Sequence, residues 1–420
     1  MAGFVDGDGS TARFSYADAW LDRQGAYPLS YSLPLRPAAF AGRAVLNFLW
    51  GLLPDNERTL QTWSSWFHVS ARNPLALLSH VGEDCAGAVQ FVSEQRLDQI
   101  VGASGRSATV EWLEDRELER RIRQLSRDGT AGRTAEEGQF SLAGAQPKIA
   151  LYRDTHRERW GVPRGRTPTT HILKPVANDF DGFAQNEHFC LVLARRIGLA
   201  AATSEWLTIG GVPTFIAGRY DRIQVRDTWL RLHQEDCCQA LAIHPARKYE
   251  NEGGPGYTQL MTLLESVDEP QIDRDRLMKT ACFIYLLAAT DMHAKNFSLL
   301  HGFGPGMRLA PLYDIASIWP YTPRIAVQKI KLAMRIGGHY RIREILPRHF
   351  HQLALACNYS SERLMSTLRE LARQLPDDAS EVARSEVGPT TRGSMIPVLL
   401  TALAAQCKKV LAALQSAPVI

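Results

Sequence analysis

Residues 288–300 read AATDMHAKNFSLL. The stretch closes a strongly apolar run, Ala281–Ala289, and then presents Asp291, His293, Lys295 and Asn296 within six residues. Asp291 and Asn296 stand in the spacing D-x4-N. Phosphoryl transfer needs a carboxylate near the acceptor hydroxyl and an amide oxygen that can hold magnesium, and kinase catalytic loops supply both at this spacing. A polar loop capping a buried helix would look much the same, so the spacing alone is a weak signal. Its weight comes from what surrounds it.

Downstream, LAPLYDIAS places Asp314 after an apolar stretch that reads as a short strand. A strand-end aspartate shortly after the catalytic loop is where kinases keep a second magnesium ligand. An isolated aspartate there is more often a turn residue. Upstream, THILKP puts Lys174 at the tip of an apolar strand, where a cation can neutralise α- and β-phosphates. Thirteen residues on, Glu187 sits early in the expected helix Ala184–Ile197. It can pair with Lys174, or merely complement the helix N-terminus. Further upstream, SLAGAQPKIALY begins at Ser141, and Gly144 with its small neighbours lets backbone N–H groups approach phosphates. It is neither a Walker A motif nor G-x-G-x-x-G. Two glycine-rich stretches are set aside. HGFGPGM, with Gly302–Gly306, reads as a hairpin turn, and NEGGPGY as a loop without phosphate-binding context.

Composition is ordinary for a soluble globular protein, and the length predicts two or three folding units. The chain has 420 residues, 45% hydrophobic and 22% charged, with a net charge of +4. That balance permits phosphate-bearing partners without demanding a nucleic acid. The seven cysteines form no CxxC pair and are odd in number, which argues against a disulfide framework or zinc site and for a reducing cytoplasm. MAGFVDGDGS has neither the basic nor the apolar region of a signal peptide. Ala281–Ala289 and Ile396–Ala405 fall short of the roughly 20 residues of a membrane span and read as core helices. His349 and His351 read as a surface pair, since only Glu344 lies close enough in sequence to join them on a metal.

The expected elements are a helix at Arg43–Leu53, a strand at Ala88–Val92, and an amphipathic helix over 112–127 with Leu118, Ile122 and Leu125 on one face. The arginines of that helix read as a solvated polar face rather than a nucleic-acid contact. Strands are expected at Thr170–Lys174, Glu205–Ile209 and Thr214–Arg219, and the helix Ala184–Ile197 carries Phe189, Leu193 and Ile197 on one face. From about Glu235 helical periodicity dominates. A strand-rich half followed by a helical half offers a cleft, a natural place for a nucleotide.

Six ordered motifs, SLAGAQPK, THILKP, GRYDR, LHQEDCCQALAI with KYENEGGPG, TDMHAKNFSLL and LAPLYDIAS, closely resemble the HipA family of bacterial kinase toxins. YSLPL, NFLWGLLPDN and VGEDCAGAVQ extend the resemblance over nearly the whole chain. It implies an α+β, two-lobed, phosphoinositide-kinase-like protein kinase fold with a small N-terminal subdomain (1–105), a strand-rich lobe (106–234) and an all-helical C-lobe (235–420). By resemblance Asp291 is the catalytic base, His293 orients its loop, and Asn296 and Asp314 bind Mg2+. Gly144, Ala145, Gln146 and Lys148 belong to a phosphate-covering loop. Lys174 contacts the α/β-phosphates with Glu187 behind it. Glu235 to Cys237 form the hinge that holds adenine, and Tyr313 lines the nucleotide site. Ser141 matches an autophosphorylated serine.

The resemblance further implies ATP and Mg2+ as cofactors and a helix-turn-helix antitoxin of the HipB type as partner. Operator DNA is then reached through that antitoxin. The acceptor is a protein, aminoacyl-tRNA synthetases being the class associated with the family, and no membrane is involved. Two features depart from the pattern. MAGFVDGDGSTARF is shorter than the usual opening strand pair, and Pro147 removes one backbone donor from the phosphate loop. The sequence leaves two other readings open, a small-molecule or lipid kinase on the same fold and a catalytically silent corepressor.

Overall fold

β-Branched and aromatic side chains build the central sheet of the strand-rich part, whose inner strands are buried in consecutive runs rather than in alternation. Six strands run in the spatial order Val110–Trp112, Arg159–Pro163, Ile149–Asp154, His171–Pro175, Val212–Gly218, Ser204–Ile209. The computed structural model describes residues 1–7, 11–94, 96–97, 109–128, 141–144, 146–176, 182–226, 228–302, 306–322, 325–386 and 395–416. These fall into two compact units interleaved along the chain. One comprises Met1–Asp179, Glu205–Ala246 and Ser298–Met307, the other Phe180–Ser204, Arg247–Phe297 and Arg308–Ile420.

In the first unit the helix Asp115–Asp128 lays Leu118, Ile122 and Leu125 onto Ile149, Leu151, Leu173 and Ile216 of the sheet. Exposed Arg120 and Arg123 pair along the helix with Glu117 and Glu119, as a solvated face does, whereas Arg121, which also pairs with Glu117, is buried and departs from that expectation. The strand register brings two lysines together. Ile149 stands opposite Leu173, so Lys148 and Lys174 continue the pair at the same end of the two strands. A second core, built from Phe14, Tyr16, Phe48, Leu49, Trp63 and Leu77 among others, belongs to the first ninety residues. Gly3–Asp6 pairs antiparallel with Arg13–Tyr16, and the latter with Phe40–Ala41, so the opening strand pair that looked curtailed is present.

Ala88–Val92 is not a strand. Phe91 N donates to Gly82 O at 2.8 Å and Gln90 Nε2 to Glu83 O at 2.7 Å, which curl the segment back on itself, while Val89 and Phe91 pack on the core. What alternated in the sequence there was a loop with two apolar residues to bury. The turn expected at Gly302–Gly306 has residues 303–305 outside the described ones, as is Gly129, expected to close the helix over 112–127.

The second unit is mostly helical: Phe183–Arg196, Tyr257–Leu263, Pro270–Leu287, Pro347–Ala356, Ser361–Ser385 and Ile396–Ser416. Pro270 and Pro347 occupy first-turn positions, where their missing N–H leaves no bond unmade. A two-stranded ribbon, Lys331–Ile336 with His339–Arg341, interrupts the helices. Ile396–Ser416 is long and apolar enough to cross a membrane by composition. Yet Ile396, Leu399, Leu403, Cys407 and Val410 are buried, so within this unit it is a core helix. His349 is not on the surface. It is buried, stacks on His339 at 4.0 Å, and accepts from Leu346 N, whereas His351 bonds Ser361. The two histidines therefore serve separate structural contacts. All seven cysteines are buried and none forms a disulfide.

Candidate active site

The helix Pro270–Leu287 ends where Ala288 enters the left-handed region at φ 52°. Carbonyls at a helix C-terminus are orphans and, in a core, must find donors. Here they find them in the chain just beyond Asp314. Ile318 N reaches Ala288 O at 3.1 Å, Ser317 Oγ reaches Leu287 O at 2.6 Å, and Trp319 Nε1 reaches Leu286 O at 3.0 Å. The segment carrying Asp314 is thus the cap of the helix that delivers Asp291.

Past the cap the chain tightens into the single 3-10 turn Ala294–Asn296. The Asp291 carbonyl accepts from His293 N at 2.9 Å and from Asn296 Nδ2 at 2.7 Å, and Asn296 N donates to His293 O at 2.9 Å. The D-x4-N spacing therefore closes a ring in which the asparagine amide is oriented by the backbone of the aspartate. Its Oδ1 carries no hydrogen bond among the described residues. The Tyr313 hydroxyl donates to Lys295 O at 2.6 Å, which sets Asp314 beside the asparagine turn. Asp314 itself is held at φ 54°. Aspartate tolerates this region better than most residues, but the cost is still of order 1 kcal/mol and persists only where neighbours dictate it.

The donor set fits a magnesium ion. An unpartnered amide oxygen and a carboxylate on adjoining turns are the hard oxygen ligands that ion takes.

Asp291 points its carboxylate outward, with 71% of the side chain exposed. Tyr249 Oη donates to its Oδ1 at 2.5 Å, and His293 Nε2 stands 3.9 Å from the same oxygen. His293 is buried, with the Tyr249 ring edge-on to it at 4.9 Å. Glu187 is buried on the helix Phe183–Arg196, one residue from Asn186. The Asn186 amide makes two bonds with the backbone of Ser317: its Nδ2 donates to Ser317 O at 2.7 Å, and its Oδ1 accepts from Ser317 N at 3.0 Å. This buried reciprocal pair fixes the Glu187 helix against the Asp314 segment.

The other implied residues lie in the first unit. Ser141 is wholly buried, its hydroxyl donating to Leu52 O at 2.8 Å and its N–H to Asp84 O at 3.1 Å. Gly144 adopts φ 110°, which a side chain would strain, and its carbonyl accepts from Asp55 N at 3.3 Å. Lys148 Nζ turns back to Ala143 O at 2.7 Å. Gln146 is exposed, and Ala145 lies outside the described residues. Lys174 is buried with its ammonium 5.2 Å from the centre of the Phe215 ring. Lys148 and Lys174 stand at the same end of the paired strands.

The Glu235 side chain turns to the N-terminal segment. It accepts from Tyr31 N and His301 Nε2, both at 2.7 Å, and from the Ser30 hydroxyl. Cys237 starts a short helix capped by Asp236, and burial pushes its thiol well up, so it is inert. The Asp236 N–H donates to Gln239 Oε1 at 2.9 Å and the Cys237 carbonyl accepts from Leu241 N at 3.1 Å.

Three features carry no role that the sequence announces. Tyr249 and Asn186 are ordinary residues until the fold brings them to Asp291 and Ser317. The third lies in the motif GRYDR. Arg219 and Arg222 join Asp84, Asp221 and Arg231 in a buried network. Arg222 Nη2 lies 2.8 Å from Asp84 Oδ1, and Arg219 grips Asp221 through two nitrogens at 3.0 and 2.7 Å. Burial alone would raise the Asp84 carboxyl, but Arg222, Arg219, Arg231 and the Thr169 hydroxyl carry it well below the usual carboxylate range. Burial and the nearby Arg219 pull Arg222 down to about 10. The network fixes the turn whose Asp84 carbonyl receives Ser141 N.

Comparison with known proteins adds relatives to this geometry. Residues 1–92 match the family model described as HipA N-terminal domain, and 140–379 that of the HipA-like C-terminal domain. A putative kinase of Sinorhizobium fredii, Y4mE, is 38% identical over 336 residues, 79% of this chain and 77% of that protein. The serine/threonine-protein kinase toxin HipA of Shewanella oneidensis is 26% identical over 396 residues, 90% of this chain and 85% of its own length. A solved structure of Shewanella oneidensis HipA with HipB and operator DNA superposes with a TM-score of 0.84 at 25% identity. It covers 99% of this chain and 96% of that one. The α+β kinase-like fold and the kinship to named kinases follow.

Proposed function

The chain belongs to the HipA family, and from that premise we propose that it is an ATP- and magnesium-dependent serine/threonine protein kinase, the toxin of a toxin–antitoxin pair. The observation that carries the reading is the ring around the catalytic loop. An outward carboxylate at Asp291, an oriented amide at Asn296 and a left-handed Asp314 are tied together by the Asn296–Asp291 and Tyr313–Lys295 bonds.

In this reading Asp291 accepts the proton of the acceptor hydroxyl as the oxygen attacks the γ-phosphorus, and the β–γ bridging oxygen leaves with ADP. His293, packed behind, holds the loop. Asn296 and Asp314 would hold magnesium, which when bound would supply neutralisation of the phosphate charge. Lys174 and Lys148 balance the phosphates, Gly144 to Lys148 cover them, and Glu187 supports Lys174. Glu235 to Cys237 meet adenine through backbone groups, since the Glu235 carboxylate is engaged elsewhere. Tyr313 contributes by holding the asparagine turn. The functional division follows the three segments 1–105, 106–234 and 235–420.

Ser141 is the proposed autophosphorylation site. A phosphoserine has no proton to give Leu52 O and carries about −1.5 to −2 charges, which a fully buried position does not accept. Phosphorylation would expel the loop and remove its phosphate contacts, switching the kinase off.

The proposed partner is a small helix-turn-helix antitoxin, as the HipB-bound relative suggests, with operator DNA reached through it. The charge distribution supports proximity to phosphate. Residues 325–351 hold six lysines and arginines against Glu344 alone, net +5 in a chain whose total is +4. The acceptor is a protein, with aminoacyl-tRNA synthetases the first class to assay, and the site of action is the cytoplasm.

Incubation with γ-labelled ATP, with and without cell extract, tests the reading. Label on protein serine or threonine is expected. Label on a lipid or metabolite would make the chain a different kinase, and no label would make it a silent corepressor.

A further inference from the structure

An exposed carboxylate on a loop has nothing to hold its rotamer unless a neighbour bonds it. Asp291 is such a group, and among the described residues only one side chain hydrogen-bonds it, the Tyr249 hydroxyl at 2.5 Å on Oδ1. His293 at 3.9 Å from that oxygen is too far for a hydrogen bond. Oδ2 carries no partner among the described residues.

Tyr249 is itself held from several sides. The carbonyl of the preceding Lys248 accepts from Ala294 N, inside the catalytic loop, at 3.3 Å. The Tyr249 carbonyl accepts from Glu252 N at 3.0 Å and Gly254 N at 2.9 Å. Glu250 is clamped to the ribbon Lys331–Ile336, with Oε2 accepting from Arg335 N at 2.7 Å and Oε1 2.9 Å from Arg335 Nε. The Tyr249 ring abuts buried His293 edge-on. A tyrosine fixed by its backbone, its ring and the following residue is a rigid strut, and its hydroxyl is the tip.

We propose that Tyr249 is the positioning residue of the phosphoryl transfer, holding Oδ1 of Asp291 so that Oδ2 alone faces the acceptor hydroxyl. This rests on the reading of Asp291 as the base. The fixed rotamer spares the reaction a search among carboxylate orientations, and misplacement of a catalytic group by about 1 Å can cost on the order of 100-fold in rate.

Tyr249→Phe removes the hydroxyl and keeps the ring against His293. The test measures initial rates of label transfer from γ-labelled MgATP, on the chain itself or on dephosphorylated casein, for wild type and Y249F. A fall in kcat of about 10- to 100-fold with KM for ATP within about twofold supports the proposal. Unchanged kcat overturns it, and so does a raised kcat, which would make Tyr249 an obstruction. A joint loss of kcat, ATP affinity and melting temperature also overturns it, because the role would then be general folding. A wild-type chain that transfers no label fails the kinase reading itself and this inference with it. Normal Y249F beside an active wild type fails this inference alone.

Discussion

The catalytic loop and the phosphate loop were both legible as short motifs, yet they are built on opposite plans. Asp291–Asn296 is cross-braced by residues far away in sequence: Tyr249, Lys248, Tyr313 and, through the helix cap, Ser317 and Trp319. Among the described residues of Ser141–Lys148, Lys148 folds back to Ala143, Gly144 O accepts from Asp55 N at 3.3 Å, and Ser141 is tied to Leu52 and Asp84. A loop braced from many sides can hold reacting atoms in place. A loop whose first residue is held by a buried hydroxyl can be loosened by changing that hydroxyl. Local stability within one protein is divided in this way between parts that must stay and parts that must move.

The contrast is broken most severely at Asp291. Asp291→Asn should lower phosphoryl transfer by about 1,000-fold or more, since an amide cannot take the proton. The melting temperature should stay within a few degrees, because the group is exposed. Label transfer and thermal melting are the two measurements, and near-normal turnover would remove Asp291 from its role.

Next in size is Asp84→Ala, on the phosphate-loop side. It leaves buried Arg222, Arg219 and Arg231 with Asp221 as the one remaining carboxylate of the network and should cost about 3–5 kcal/mol in urea unfolding, with faster tryptic cleavage after Lys148. A loss under about 1 kcal/mol would mean that the network does not hold the loop's base.

Asp314→Ala should weaken MgATP binding on the order of 100-fold, equivalent to roughly 3 kcal/mol, by calorimetry. Equal affinity with equal activity would move the metal role elsewhere. The smallest effect is Ser141→Asp. About a tenfold loss of turnover is expected, with accelerated cleavage after Lys148 and little change in global unfolding. Full activity in that variant would detach the loop's release from Ser141.

How far the sequence reached depends on how far each signal extends along the chain. D-x4-N and the strand-tip Lys174 are readable because each is set by its own few residues and by a helix or strand whose period is written locally, whereas the strand expected to lead into Asp314 ends at Leu309, with only an isolated bridge at Leu312. The helix faces at Leu118, Ile122 and Leu125, and at Phe189, Leu193 and Ile197, are buried as their spacing predicts. The strand expected at Ala88–Val92 shows the limit, because alternation is shared by strands and by loops with apolar residues to bury. Glu235 shows it again. Nothing near it announces that its carboxylate will be taken by Ser30 and His301, 205 and 66 residues away.

By itself the sequence determined most element types, the family and the chemical identities at the candidate site, since propensity, periodicity and motif spacing are properties of neighbours. Only the tertiary structure decided which atoms of those residues are engaged: Oδ1 but not Oδ2 of Asp291, the nitrogen but not the oxygen of the Asn296 amide, and the carboxylate of Glu235. A hydrogen bond is made by whichever donor the packed chain brings within about 3 Å, and that distance is set by the whole core at once.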